Sequence, residues 1–464
     1  MRGGQEGCSK DRGFYRRPRS LAIGLLAALM LILQGCATFT QQPLPNAPSL
    51  VSIADAPRAR LNMSSVGGVA ATYNPALVAA RTRLPEEDAR VFAAGLLPDP
   101  QLSLSLDDPL SNAAGLVNAY SVGLAYDLRA LVLRGETIRA AEFSRLQVAL
   151  DVEWQTWQTM QQARDLYIQL AFLNLKHDLL NREIGVFRKD VSHLKAVVSS
   201  GDETVDVLGA SLVVLSDAEN QLQNVRSQRV VIRNQLAALI GLRPEAGFSI
   251  SVLPTNLGEP SDDRIEDLLA SLPERRPDLL ALRAGYQSQN ARKRGAILGQ
   301  FPSLSVGLTR ARDTAALKTN GVSISLSLPL FDGNRGNIAI ERATSDRLWA
   351  EYQARLDASA SEVLGLKTEI LILNREIAQA QNTLDEIDRI VRKGAEAYRL
   401  GDFPAQSYSA LLVARLTRQL AIADLRQQVW QATNGLVSVL GGRTARQLGA
   451  PTQSRLASKA DRKT

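Results

Sequence analysis

The sequence predicts a mostly α-helical chain that also carries membrane-type β-strands and is built from two copies of one repeat. Three observations carry that reading. Short stretches alternate strictly between aliphatic and small polar residues. Two very long stretches place apolar residues at steps of four and three. The whole pattern recurs after about 200 residues.

Composition fits this class. The chain has 464 residues, yet aromatic residues make up only 5%. That is low for a globular core and suits long helices packed through Ala, Leu and Val. The net charge of +7 sits at the ends: residues 1–35 carry a net +4 and Arg443–Thr464 a net +5, so the body is slightly negative. A body without a basic patch gives nucleic-acid binding no support. The basic tail, residues 443–464, reads as a solvated, disordered end.

Residues 1–35 read as a lipoprotein signal peptide. Arg16, Arg17 and Arg19 form a basic region, and Leu21–Leu33 is an apolar run too short for a comfortable membrane span. The run ends in Leu33-Gln34-Gly35-Cys36, which resembles the bacterial lipobox. Cys36 is therefore the expected site of a covalent lipid, diacylglycerol plus an N-acyl chain such as palmitate. Gln34 departs from the small residue usual there. Ala37, in place of Asp, implies sorting to the outer membrane. Cys8 lies in the removed segment, so the mature chain keeps one thiol and no internal disulfide. Residues 36–73 read as a lipidated N-terminal tether, rich in Pro, Ser, Asn and Gly.

The first repeat spans residues 74–241. A short helix is expected from Asn74, and Pro98-Asp99-Pro100 stops it. The β-hairpin 101–128 follows. Leu102, Leu104 and Leu106 alternate with serines; Val122, Leu124, Tyr126 and Leu128 alternate with Ser121, Gly123 and Ala125. A long helix is expected from Gly135 to Ser199. Its seam is Leu166, Leu170, Leu173, His177, Leu180, Ile184, Phe187, Val191, Leu194 and Val198, a heptad pattern. Gly201-Asp202 breaks the helix, and a second one returns to Gly241. Residues 242–275 form a connector with a short helix near Ile265–Leu272.

The second repeat, residues 276–442, restates the first. Arg276-Pro277-Asp278-Leu279 matches Asn74-Pro75-Ala76-Leu77, and Gly401-Asp402 lies 200 residues after Gly201-Asp202. The seam Leu366, Ile370, Leu373, Ile377, Ala380, Leu384, Ile387, Val391, Gly394 and Tyr398 is the first seam shifted by 200, position for position. The β-hairpin 303–331 repeats the alternation, most clearly in Gly321–Phe331: Val322, Ile324, Leu326, Leu328 and Leu330 against Ser323, Ser325 and Ser327. Such strands suit lipid on one face and water on the other. Four strands cannot close a barrel, and an open edge inside lipid leaves backbone groups unsatisfied. Two copies would give eight strands and a filled lumen, three copies twelve and an open one.

Enzyme chemistry finds no material. Two histidines, His177 and His193, cannot build an HExxH site, and no Gly-rich Lys-Ser/Thr phosphate loop is present. His177 sits on the seam where the second repeat has Ile377, so it reads as a packed interface residue. No catalytic, metal or cofactor site is expected.

Several motifs together resemble the TolC-type outer-membrane factors, in their efflux lipoprotein branch. They are Glu274-Arg275-Arg276-Pro277-Asp278-Leu279, Phe301-Pro302-Ser303-Leu304-Ser305, Leu328-Pro329-Leu330-Phe331-Asp332-Gly333, Tyr398-Arg399-Leu400-Gly401-Asp402 and the lipobox. The resemblance implies a homotrimer with a twelve-stranded β-barrel above a twelve-helix periplasmic α-barrel. It implies a passive exit duct for small molecules or ions, fed by an inner-membrane pump through a periplasmic adaptor. A protein-secretion exit duct and a non-channel lipid-anchored helical scaffold remain as alternatives. Gly201, Asp202, Gly401 and Asp402, at the far ends of both long hairpins, are the expected adaptor-facing tip, with the two Asp carboxylates capping the returning helices. Tyr398 and Arg399, one turn earlier, are the candidates for the constriction. Asp206-Val207-Leu208 follows the first turn, but Gln406-Ser407-Tyr408 follows the second. This departs from the family pattern.

Overall fold

A computed structural model describes residues 40–48, 61–110, 115–243, 248–253 and 261–441. The signal peptide, Cys36 and the basic tail lie outside the described residues. Residues 40–48 belong to a separate unit and are exposed, without helix or strand.

The element order starts with three short helices, α1 (Ser65–Tyr73), α2 (Pro75–Arg81) and α3 (Arg83–Gly95). The tether was expected to run to residue 73, but its last nine residues are α1. Val66 and Ala70, four apart, are wholly buried against Ala163 and Tyr167. Packing of this stripe overrides the weak helix propensity of a Gly-rich segment. Leu61 is also fixed: its N–H donates to Ser249 O at 3.0 Å, and its carbonyl accepts from Ser251 N–H at 2.8 Å. The connector therefore returns to the start of the ordered body.

Strands β1 (Gln101–Asp107) and β2 (Ala119–Asp127) lead without a break into α4 (Leu128–Ser200). The helix begins seven residues before the expected Gly135, because the Asp127 carboxylate accepts from Arg129 N–H at 2.9 Å and caps it. At 73 residues, α4 is about 110 Å long by helix rise. It reverses at Gly201 into α5 (Val205–Leu239). The connector contributes α6 (Asp262–Ala270) and α7 (Leu272–Arg275). The second repeat follows as α8 (Pro277–Leu298), β3 (Ser303–Arg312), β4 (Lys318–Ser327), α9 (Arg335–Leu400) and α10 (Ala405–Leu440).

The expected hairpin 303–331 is shorter at its end. Strand β4 stops at Ser327, and Leu328–Phe331 leave the ladder, since Pro329 has no N–H to donate. Its loop is short, residues 313–317.

The seams are buried as their period requires. On α4 they bury Leu180, Ile184, Phe187 and Val191; on α9, Ala380, Leu384 and Val391. One core cluster joins Leu180, Ile184, Phe187, Ala218 and Leu222 of the first hairpin to Val391, Leu412 and Leu416 of the second. Each such side chain contributes roughly 1.5–3 kcal/mol by leaving water. The two long hairpins are thereby one packed body.

A buried ionic hub sits where the repeats meet, and it accounts for Arg276-Pro277-Asp278. Arg276 is 1% exposed; it donates to Asp278 at 2.9 and 2.7 Å and to Val439 O at 3.1 Å, and lies over the Trp154 ring. Arg355 also reaches Asp278, at 2.7 Å. Burial alone would raise the Asp278 pKa, but hydrogen bonds and charge from Arg276 and Arg355 hold it below the ordinary carboxylate value.

Candidate functional site

At one end of the body stands a single antiparallel sheet in the order β1-β2-β3-β4. The two hairpins are fused through β2 and β3, one from each repeat. Pairing puts opposite residues on the same face. Leu102, Leu124, Leu308 and Val322 form one continuous row; Tyr126, Val306 and Ile324 form the next toward the helices. Apart from Tyr126 these rows are aliphatic, and Leu102, Leu104, Ile324 and Leu326 are each more than half exposed. The opposite face carries Ser103, Ser105, Ser121, Gly123, Gly307, Ser323 and Ser325. Side chains converge on that face. A Cβ at Gly123 would fall 2.5 Å from Ser103 Oγ, and one at Gly307 would fall 2.6 Å from Ser323 Oγ. Among the described residues strand β1 is paired only to β2, and β4 only to β3, so there both outer edges carry unpaired backbone groups.

At the other end are the two tips. Gly201 and Gly401 adopt φ of 86° and 83°, left-handed values that a β-branched residue resists. Each ends its helix in the same way: Asp202 N–H donates to Val197 O at 3.1 Å, and Asp402 N–H to Ala397 O at 2.9 Å. The Asp side chains do not cap the returning helices. Neither α5 nor α10 has a side-chain cap, and the Asp202 carboxylate instead accepts from Ser200 Oγ at 2.7 Å. The Schellman geometry already satisfies the end of the incoming helix. Two residues then separate each Asp from the helix start, too far for a cap.

Tyr398 does not point freely into open space. Its hydroxyl donates to Asp190 Oδ1 at 3.0 Å, across from the second hairpin to the first. Asp190 Oδ2 accepts from Ser409 Oγ at 3.1 Å, and Ser211 Oγ lies 3.4 Å from Ser409 Oγ. The Tyr398 ring stacks on Tyr408 at 4.8 Å between centroids and meets His193 edge-on at 6.0 Å. One turn pair further from the tip, Arg415 donates to the buried Glu183 at 2.7 Å. Burial raises the Tyr398 pKa first, and the Asp190 carboxylate adds to that by its charge and its hydrogen bond. Tyr408 is raised as well, mainly by burial. Arg399 is exposed.

Sequence reasoning singled out Tyr398 but not its partners. A signal for them exists. Glu183 and Asp190 are seven apart, and each immediately precedes a seam residue, Ile184 and Val191. That is a flanking heptad position, where a charge meets the neighbouring helix. His177 is half-buried and contacts Asn181 and Asp178. Among the described residues no cluster of three His, Cys, Asp or Glu is placed to hold a metal ion. No described helix is long and apolar enough to cross a membrane.

The sequence pattern of the outer membrane efflux protein family matches residues 268–442. The cobalt-zinc-cadmium resistance protein CzcC of Cupriavidus metallidurans is 23% identical over 397 residues, covering 82% of this chain and 90% of that protein. In sequence over its second repeat, the chain is similar to outer membrane efflux proteins. The crystal structure of the outer membrane protein VceC of Vibrio cholerae superposes with a TM-score of 0.69 at 18% identity, covering 82% of this chain and 96% of that one. The CmeC outer membrane channel of Campylobacter jejuni gives 0.70 at 16% identity, over 89% and 93%. The likeness in fold thus extends well beyond the second repeat that the family pattern covers.

Proposed function

We propose that the chain is the outer-membrane exit duct of a tripartite efflux system, a homotrimer anchored by lipid on Cys36. One observation carries the reading. A four-stranded sheet with a bare aliphatic face and two unpaired edges is joined to helical hairpins about 100 Å long. Edges inside lipid must be paired, and three copies supply twelve strands around an open lumen. The serine face then lines water and the aliphatic face meets lipid. A helical scaffold without a channel has no use for such a sheet. The periplasmic tips, at Gly201-Asp202 and Gly401-Asp402, meet the adaptor, and the Tyr398–Asp190 contact holds the two hairpins together just behind them. The cargo is small molecules or ions delivered by the inner-membrane pump; the resistance named for CzcC supports metal ions among them.

The test uses Gly401→Val in cells that depend on the native gene for tolerance of drugs or metals. The tip should distort while the sheet, at the far end of α9, stays intact. Normal outer-membrane levels with weakened adaptor crosslinking and lost tolerance are expected. Full tolerance with normal crosslinking would remove the tip from the docking surface.

A further inference from the structure

We propose that Arg310, Arg312 and Lys318 form a docking patch for the phosphate groups of the glycolipid in the outer leaflet; the inference rests on the membrane barrel just described. Cross-strand pairing puts all three on the aliphatic face. Arg312 pairs with Tyr120 on one side and Lys318 on the other, and Arg310 pairs with Val122 and Asn320 one row below. The lipid-facing side therefore ends, toward the loop end of the sheet, in a patch of three cations. The long helices leave the opposite end of the strands, so this rim is the one that faces the exterior.

Arginine on a lipid-facing strand is tolerated only near the interface. The position of these residues thus fixes headgroups at their level. From Arg310 down to Leu304 the aliphatic rows run six residues, about 20 Å by strand rise, close to the apolar band of roughly 25 Å in such barrels. Tyr120 stands in the top row, and Arg312 lies over its ring at 5.3 Å. That contact, together with Arg312 donating to Asn118 O at 2.7 Å, holds the guanidinium against the sheet. Its Nε is buried with no hydrogen-bond partner among the described residues. Arg310 and Lys318 are exposed. Among the described residues no carboxylate forms a salt bridge with any of the three. The nearest acid in sequence, Asp313, is engaged with the backbone N–H groups of Ala315 and Leu317. Unpaired arginines with a neighbouring amide and lysine suit phosphate oxygens, which guanidinium groups grip in pairs.

The experiment takes the full-length protein from outer membranes into phosphatidylcholine vesicles. The vesicles contain bis-phosphorylated lipid A, dephosphorylated lipid A, or neither. Heat-modifiable gel mobility reports the assembled barrel, and mass spectrometry counts lipid A that stays bound. Each cation beside an anionic leaflet is worth roughly fivefold in partitioning. The triple variant Arg310→Gln, Arg312→Gln, Lys318→Gln should therefore retain on the order of a hundredfold less phosphorylated lipid, with its barrel intact. The variant Arg310→Lys, Arg312→Lys keeps the charge but loses the paired grip, so its retention should fall between that of the wild type and the triple variant. Should the triple variant not assemble, Lys318→Gln alone still reads the roughly fivefold loss. Equal retention of dephosphorylated lipid, wild-type retention by an assembled triple variant, or full competition by inorganic phosphate would overturn the patch. Absence of any heat-modifiable barrel in the wild type would instead overturn the membrane reading beneath it.

Discussion

The two repeats share their turns and their seams but not the side chains that join them at the tip. Gly201 and Gly401 have nearly the same φ, and the seams are buried at matching positions. Yet Asp190 of the first repeat corresponds to Ile390 of the second, and Tyr398 corresponds to Val198. Ser409 and Arg415 correspond to Gly209 and Leu215. Every polar contact across the hairpins near the tip therefore joins positions that differ between the copies. Duplication supplied a frame, and the difference supplied a latch. The sheet shows the opposite case: its two hairpins kept the same alternation, as lipid on one face and water on the other would demand of both in the proposed barrel.

That contrast sets the size of the expected effects. The largest should fall on the sheet. An Arg at Ile324 places a charge on the lipid face and costs roughly 2–4 kcal/mol at mid-membrane depth. Ile324→Arg should abolish assembly, while Ser325→Arg, on the opposite face, should assemble and alter conductance. Gel mobility of membrane extracts reads both, and equal tolerance would show that the faces are not divided as described.

The next effect belongs to the latch. Asp190→Ala leaves the Tyr398 and Ser409 hydroxyls without their acceptor, at roughly 1–3 kcal/mol. The tip should loosen, seen as higher single-channel conductance of an otherwise normal assembly. Tyr398→Phe removes one of the two bonds and should shift conductance the same way by less. The reverse exchange sharpens the comparison: Val198→Tyr copies the tyrosine into the first repeat, but the residue that corresponds to Asp190 in the second is Ile390, so no such bond should form and conductance should not change.

A smaller effect follows from pH. The Asp278 pKa is held below its ordinary value of 3.8. A depressed carboxylate contributes stability above the unfolded value, and that stability is lost as pH falls through the folded one. Thermal stability should thus drop on acidification below about pH 4, and Asp278→Asn should flatten that part of the profile. Tyr398 has the opposite sign. Its raised pKa keeps the latch hydroxyl protonated past its ordinary value of 10.0, so conductance should hold steady from neutral pH up to that value. The smallest effect of all is expected at Asp202. It caps nothing, so Asp202→Ala should leave stability within roughly 0.5 kcal/mol of wild type.

Much of this was legible in the residues themselves. Period two and period 3.5 are direct consequences of strand and helix geometry, so the strands, seams and Gly turns could be placed by counting. What escaped was decided by partners distant in sequence. Ser65–Tyr73 looks like linker until Ala163 and Tyr167 bury its Val66 and Ala70. Asp202 reads as a cap until the helix is seen to begin at Val205. Asp190 reads as a solvated charge until Tyr398, 208 residues on, is found beside it.

Closure of the sheet across chains is the claim on which the account turns. Its most direct test is the mass of the complex crosslinked in native outer membranes. Three chains per complex, with crosslinking that stops there, is the predicted result. A limiting dimer or a monodisperse monomer would leave the edges of β1 and β4 unpaired and would contradict the account.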